Sequence, residues 1–522
     1  MQTRINAIIT SFRTNPRVAL TSANAILGYI ALVVFLAHLA VANNYGYFRD
    51  ELYYLEDGHH LAFGYVDQPP LIGWLAGLTN LLFHNSLVGI HLIPALAVAV
   101  LTVVAGLIAR ELGGGRFAQG LTAGATAVTV VFMATGSLFS MDVLDEVWWA
   151  LSAYVLVRLL RRGEPTWWLW FGTIAGLGLL TKLTMLFWGF AVVAGLLLTP
   201  QRAQFRTRWP WLGGLIAFGF LLPYILWNVA RGWPTWEFWH HYGGLSGGGP
   251  VGFFANQLIS VNLLNLPIIV AGLLFYFRAP AGKPYRALGW AYVVLYVVLT
   301  LINAKAYFLV PIYPVLYAGG AFLIERGVAT ARWRWVRLAY PVALGVSGLF
   351  FVPLAMPALP PAAYAHSYGT LSFLGNSGAG QNNAGVFPQY LGDRFGWDTL
   401  AATVADVYRS LPPDQQRTAC IFAQNYGEAS ALDFYRARFP LPPVISGHNN
   451  FFLWGPGSCD GSVIITVGLA PQEVQQSFAA VQLAATNQCH YCMSGEYGVP
   501  IIVATQPLHR LKDQWPGVKH FD

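Results

Sequence analysis

The sequence predicts an α-helical polytopic membrane protein that carries a small C-terminal α/β domain. Three observations predict this class. Of 522 residues, 56% are hydrophobic and 15% aromatic, while only 10% are charged; soluble domains carry about 25% charged residues. Apolar runs close to the ~20 residues needed to cross a bilayer recur between positions 21 and 356. All four cysteines fall after residue 356, where the apolar runs shorten and alternate with helical segments. The same figures exclude disorder, which needs low hydrophobicity. A net charge of +7 and a pI near 9.1, thinly spread, make no basic stripe for nucleic acid.

Taken in order, the runs 21–42, 87–111, 117–139, 144–160, 209–230, 255–277, 287–302, 306–325 and 336–356 each read as a span. The stretch 166–199 is apolar except at Thr181-Lys182 and reads as two short helices meeting at that lysine. The total is about 11 to 13 transmembrane helices. Segment 70–83 is short and follows a double proline, so it reads as a re-entrant or interfacial helix. The first run is too long for a cleavable leader and lacks a small-residue cleavage site after it, so it reads as a signal anchor.

Basic residues orient the spans. With the N-terminus in the cytoplasm, 18 Lys and Arg fall in inner loops and four outside, namely Arg49, Lys182, Arg231 and Lys305. The expected division is a membrane domain, 1–356, with a first outer loop at 43–70, and an extracytoplasmic domain, 357–522. In the latter, 418–424, 461–468 and 499–505 read as strands. Segments 398–411, 427–438 and 471–483 read as helices, and 372–385 as a Gly/Asn-rich loop. Cys420, Cys459, Cys489 and Cys492 read as structural disulfides on the oxidising side. Three pairings are open, and the Cys489/Cys492 spacing also allows a metal or redox reading.

Carboxylates carry more information than bases. Nine acids of the membrane part lie on the outer side against four bases. Acids beside apolar spans are costly and tend to be functional. The densest group is YGYFRDELYYLEDGHHLAFGYVDQPP, 45–70. If 50–62 is helical, Asp50, Tyr53, Tyr54 and Asp57 share one face, and Asp67 returns after a Gly-Tyr turn. One reading is a solvated juxtamembrane helix capped by Asp50. The other is an acid/base centre whose partly desolvated carboxylate removes a proton from a hydroxyl. SLFSMDVLDE, 137–146, holds a second acid group that is either a set of helix caps or a support, through Asp142, for the first.

The few outer cations, Lys182, Arg231 and Lys305, suggest either anion binding, with phosphate the natural anion, or ion pairs with these acids. His59-His60 and His240-His241 are poor two-ligand motifs, because adjacent side chains on a helix diverge. A divalent ion at Asp50, Asp67 and His59 is left open, and the sequence points to no other cofactor. The Gly-rich run 246–250 lies in an outer loop, and no nucleotide-binding motif stands in a suitable strand–turn–helix context. A sugar or energy source must therefore be membrane-borne.

An N-terminal span, a loop opening with Asp-Glu and a return Asp-Gln-Pro-Pro resemble the GT-C membrane glycosyltransferases. More narrowly, FRDELYYLEDGHHLAFGYVDQPPL, SMDVLDE, LTKLTMLF and AKAYFLVPIYP resemble bacterial relatives of the protein O-mannosyltransferases, including the lipid A aminoarabinose transferase (families 39 and 83). The likeness covers about 1–356. QNYGEASALDFYR, PPVISGHNNFFLWGP and WPGVKHFD resemble the tails of bacterial members.

The resemblance implies inverting transfer of a hexosyl or pentosyl group from a polyprenyl-phosphate donor to a lipid, glycan or protein hydroxyl. It implies a multi-pass protein of the bacterial cytoplasmic (inner) membrane. Asp50 matches the catalytic base, with Glu51 beside it, and Asp67 the second loop acid. Arg231, Lys305, Tyr307, Lys182, Gln68, Tyr53 and His59 are the donor-binding candidates, with Asp142 in support. Gln68 stands where some relatives carry Lys or His. Tyr426, His448 and Asn449 are candidates for the acceptor or a lid. Two other classes compete: a lipid or sugar transporter or flippase, whose site would lie on broken or repeated helices near the midplane, and a glycan-binding assembly protein working through the tail.

Overall fold

The structure, a computed structural model, describes residues 22–242, 249–329, 331–374 and 386–522. Arg4, Arg13 and Arg17, positions 375–385 of the Gly/Asn-rich loop and Ser246-Gly247-Gly248 lie outside the described residues. By contact the chain divides into two compact units. One holds the described residues of 1–42, 91–222 and 246–358; the other holds those of 43–90, 223–245 and 359–522.

The chain is a multi-pass membrane protein. Among the described residues six helices are long and apolar enough to cross: Ala23–Val41, Leu87–Glu111, Trp209–Ala230, Pro280–Leu301, Ala306–Gly327 and Val336–Ala355. Two bent pairs, Met185–Leu197 with Pro200–Arg206 and Gly249–Val261 with Leu263–Phe277, bring the number up to eight. Helices satisfy their own backbone polar groups, which hydrocarbon cannot do. The other expected spans are also helical, but shorter, interrupted or charged. Met141–Arg162 has 22 residues and carries acids in its first turns and arginines in its last. Trp167–Thr181 and Met185–Leu197 meet at Lys182, as the sequence predicts.

In the first unit, two runs read as single spans are broken, and asparagines at one break satisfy carbonyls at the other. Run 117–139 is two helices, Arg116–Ala127 and Val130–Thr135. Run 255–277 divides at 262–265, with a bend of 92°. Asn262 Nδ2 donates to Val128 O at 3.3 Å, and Asn265 Nδ2 donates to Ala125 O at 3.0 Å. A freed carbonyl in an apolar setting needs such a donor. Elsewhere glycine allows backbones to touch: a Cβ on Gly320 would lie 1.9 Å from Ile268 O, and one on Gly272 2.2 Å from Leu316 O.

In the second unit five strands form one sheet: β1 (Ala419–Ala423), β2 (Val444–Ser446), β3 (Val463–Val467), β4 (Phe478–Thr486) and β5 (Pro500–Pro507). The order is β2-β1-β3-β5-β4. β1 pairs parallel with β2 and β3, and β5 pairs antiparallel with β3 and β4. Three strands lie where the sequence predicts them. Segment 471–483 does not: only Pro471–Val474 is helical, and from Phe478 on it belongs to edge strand β4. Its Ala, Gln and Leu favour helix locally, but β5 offers an open edge and a ladder of backbone partners, so tertiary pairing overrides propensity. The cysteines pair as Cys420–Cys459 and Cys489–Cys492, both disulfides within this unit.

Candidate active site

In the second unit the segment 43–70 is built on the Arg49–His59 helix. Its start is capped by Glu51, whose carboxylate takes the Phe48 N–H at 2.9 Å. Glu51 is fully buried. The sequence offers Asp50 as the cap and groups Glu51 with the catalytic acids; the structure gives the cap to Glu51. Asp50 is thereby spared for other work, its side chain 31% exposed.

The face predicted from helical spacing meets the return loop and the tail. Asp50 Oδ1 accepts the Tyr426 hydroxyl at 2.8 Å. The Tyr53 hydroxyl donates to Asp67 Oδ1 at 3.1 Å. Asp57, wholly buried, accepts Gln68 Nε2 at 2.6 Å and Asn450 Nδ2 at 2.8 Å. Asn450 also fastens the return loop, its Oδ1 accepting the Val66 N–H at 2.8 Å. The Tyr65 hydroxyl closes the loop from the other side onto Asp57 O at 2.8 Å.

These contacts set the electrostatics. Burial pushes the Asp67 carboxyl up to about 7, and the nearby Asp50 charge adds to this, while the Tyr53 hydroxyl opposes it. Asp57 is held well above the usual carboxylate range by burial and then by the charge of Asp67. Burial and the two neighbouring carboxylates raise the Tyr53 phenol, so it stays a donor.

Several candidates take positions that differ from the simplest reading. Gln68 is buried against Asp57, and its Oε1 has no hydrogen-bond partner among the described residues. His59 is exposed and faces Glu56, its Nδ1 3.4 Å from Glu56 Oε1. Asp50, Asp67 and His59 therefore do not form a ligand set, because His59 follows its own helix turn back to Glu56. The one group of three potential ligands among the described residues is His448, His520 and Asp522. There the Tyr426 N–H points at His448 Nδ1, 3.2 Å away. The proton must then sit on Nε2, which faces Asp522 Oδ1 at 2.9 Å. That is a hydrogen-bonded clamp, with the nitrogen that would ligate already protonated. Asn449 Nδ2 donates to Asp522 O at 3.4 Å. Arg231 is exposed and lies over the Trp227 ring at 4.7 Å, while the nearby Glu237 pairs with Lys519 at 2.7 Å.

In the first unit, the Lys182 ammonium sits in the helix break and pairs with Asp142. It also lies 5.0 Å from the Tyr307 ring and 4.9 Å from the Phe308 ring. Ser140 caps the helix that presents Asp142. Two further acids of that helix are buried: Asp145 accepts from Thr184 Oγ1 at 2.6 Å, and Glu146 accepts from Thr135 Oγ1 at 3.1 Å. Lys305 precedes the 3-10 turn Ala306–Ile312 that carries Tyr307.

Sequence reasoning missed Asn450 and the buried role of Asp57. The only signal for Asn450 was its place in HNN within PPVISGHNNFFLWGP.

Residues 67–227 match the family described as dolichyl-phosphate-mannose-protein mannosyltransferase. A comparison with curated protein sequences finds no significant match. Among solved structures, apo ArnT from Cupriavidus metallidurans is similar at 15% identity over 92% of this chain and 97% of that chain, TM-score 0.63. The same enzyme bound to undecaprenyl phosphate is similar at 16% identity over the same shares, TM-score 0.58. The chain has the GT-C glycosyltransferase fold. The likeness covers 92% of this chain, so it takes in α/β-tail residues as well as the helical part.

Proposed function

We propose that the protein is an inverting glycosyltransferase. It moves a hexosyl or pentosyl group from a polyprenyl-phosphate donor to a lipid, glycan or protein hydroxyl. The reaction takes place at the outer face of a bacterial cytoplasmic membrane, with the N-terminus inside and 357–522 outside. One observation carries the chemistry: Asp50 is a partly open carboxylate held at a helix start, released from capping and oriented by a hydrogen bond. The GT-C fold and the ArnT structure with undecaprenyl phosphate support the donor class.

In this reading the acceptor oxygen attacks the sugar C1 from the side opposite the phosphate. Its proton passes to Asp50, the C1–O bond breaks, and the electron pair leaves with the lipid phosphate. Inversion follows from this single displacement. Asp67 and Tyr53 position a sugar or acceptor hydroxyl. Cations balance the phosphate charge that develops; Lys182, Lys305 and Arg231 are assigned this work, with Tyr307 beside Lys182. Bound phosphate would replace Asp142 as the partner of Lys182.

The test is transfer from a panel of undecaprenyl-phosphate mannose, glucose and aminoarabinose, with mass spectrometry of co-purified lipid. Asp50→Asn should reduce turnover by at least ~10³-fold, the scale of general-base loss plus misorientation, while the lipid still co-purifies. Turnover retained in that variant removes Asp50 as the base. A preparation with neither a polyprenyl-phosphate lipid nor turnover of any donor removes the donor class.

A further inference from the structure

We infer that Tyr426, a residue of the α/β tail, is the positioning residue for Asp50: it engages one carboxylate oxygen and leaves the other to take the acceptor proton. The inference rests on the reading of Asp50 as the base and extends it to a residue 376 positions away in the chain.

The geometry is specific to that oxygen. The Tyr426 hydroxyl donates to Asp50 Oδ1 at 2.8 Å. The Arg49 guanidinium also approaches Oδ1, its Nε 3.7 Å away. Among the described residues, both polar contacts of the carboxylate thus fall on one oxygen. A general base needs a free lone pair aimed at the proton it abstracts, and Oδ2 is the atom left for it.

The tyrosine is itself firmly held. Its ring lies 4.6 Å from Tyr53 and 5.1 Å from His448, and the Arg49 guanidinium sits 5.4 Å from its centroid. Its own N–H is fixed on His448 Nδ1. The next residue, Gly427, makes the approach feasible, because a Cβ there would fall 2.5 Å from the Arg49 Cγ and Cδ. The Arg49 stem can therefore lie flat against the start of the Tyr426–Phe434 helix. Such a layered contact fixes a hydroxyl far better than a surface tyrosine does. Burial, with the Asp50 charge beside it, keeps the phenol protonated as a donor.

A hydrogen bond to the charged form of a carboxylate favours that form. Charged and titratable groups near Asp50 are Arg49, Asp67, Asp393 and Tyr426. Arg49 pairs with Asp393, its guanidinium 3.7 Å from Oδ2. Removing only the Tyr426 hydroxyl leaves the other three in place.

The experiment uses the full-length protein in detergent and titrates Asp50 by its reaction with a water-soluble carbodiimide, which consumes the protonated carboxyl. Tandem mass spectrometry separates Asp50 from Glu51, and Asp50→Asn supplies the blank. In Tyr426→Phe the pH midpoint at Asp50 should rise by about one unit, the shift equivalent to one charge-assisted hydrogen bond. With undecaprenyl-phosphate mannose as probe donor, kcat should fall about tenfold with donor KM unchanged. An unchanged midpoint overturns the inference, as does a fall in kcat that is matched by the same fall in thermal stability. Should the Phe variant fail to fold, 3,5-difluorotyrosine at 426 keeps the shape and strengthens the donor. The midpoint must then move down, and an unmoved midpoint overturns the inference. The two readings separate cleanly. Turnover in Asp50→Asn sinks the base assignment, whereas an inactive Asp50→Asn with an unmoved Tyr426→Phe midpoint sinks only the role of Tyr426.

Discussion

Asp67 carries a carboxyl pushed up to about 7 by burial, so it changes charge in the range where a membrane enzyme works. Its folded-state value lies above the ordinary Asp value of about 3.9. By linkage, the stability it contributes is complete below about pH 4 and is lost as pH rises through about 7. Functionally, only the charged form accepts hydrogen bonds through both oxygens. Donor KM should therefore fall between pH 6 and pH 8 in the wild type and stay level in Asp67→Asn, measured with whichever panel donor turns over. A KM equally pH-dependent in both proteins would remove Asp67 from substrate contact. Helical spacing alone put Asp50 and Tyr53 on one face, and that face meets Asp67 and Tyr426 in the structure. The cap was not legible, because Asp50 and Glu51 share one chemistry and only the Phe48 N–H decides which carboxylate caps.

At the level of elements, the return loop is fastened by a tail residue. Asn450 binds Val66 on the loop and Asp57 on the helix, both in buried surroundings. Asn450→Ala leaves a buried N–H without its acceptor and a buried acid with one donor fewer. The cost should be about 2–4 kcal/mol, read as a lower unfolding midpoint and faster proteolysis of 60–68. Unchanged values for both would show that the loop holds itself. Strands β1, β3 and β5 could be read from their apolar runs and turn residues. Edge strand β4 could not, because its composition suits a helix and its strand character comes only from pairing with β5. The break at 128–129 is of the same kind: apolar composition continues through it, and the asparagines that satisfy its carbonyls, Asn262 and Asn265, lie far away in sequence.

For the whole molecule, the charge partition makes a topological prediction. A cysteine placed at His60 should react with an impermeant maleimide from outside intact cells, and one at Arg162 only after permeabilisation. The four native cysteines are disulfide-bonded and give no background. Labelling in the reverse sense would invert the proposed side of catalysis. By itself the sequence determined that the chain is a polytopic membrane protein with an α/β tail, and it pointed to an acidic first loop as the place of chemistry. Those conclusions rest on hydropathy, span length and charge, which are local and additive along the chain. Only the tertiary structure decided which acid caps, which acid is sequestered with Gln68 and Asn450, and which carboxylate oxygen meets Tyr426. Such assignments depend on single hydrogen-bond distances, from three residues apart at the cap to 376 and 393 apart at Tyr426 and Asn450, and no periodicity in a sequence encodes those.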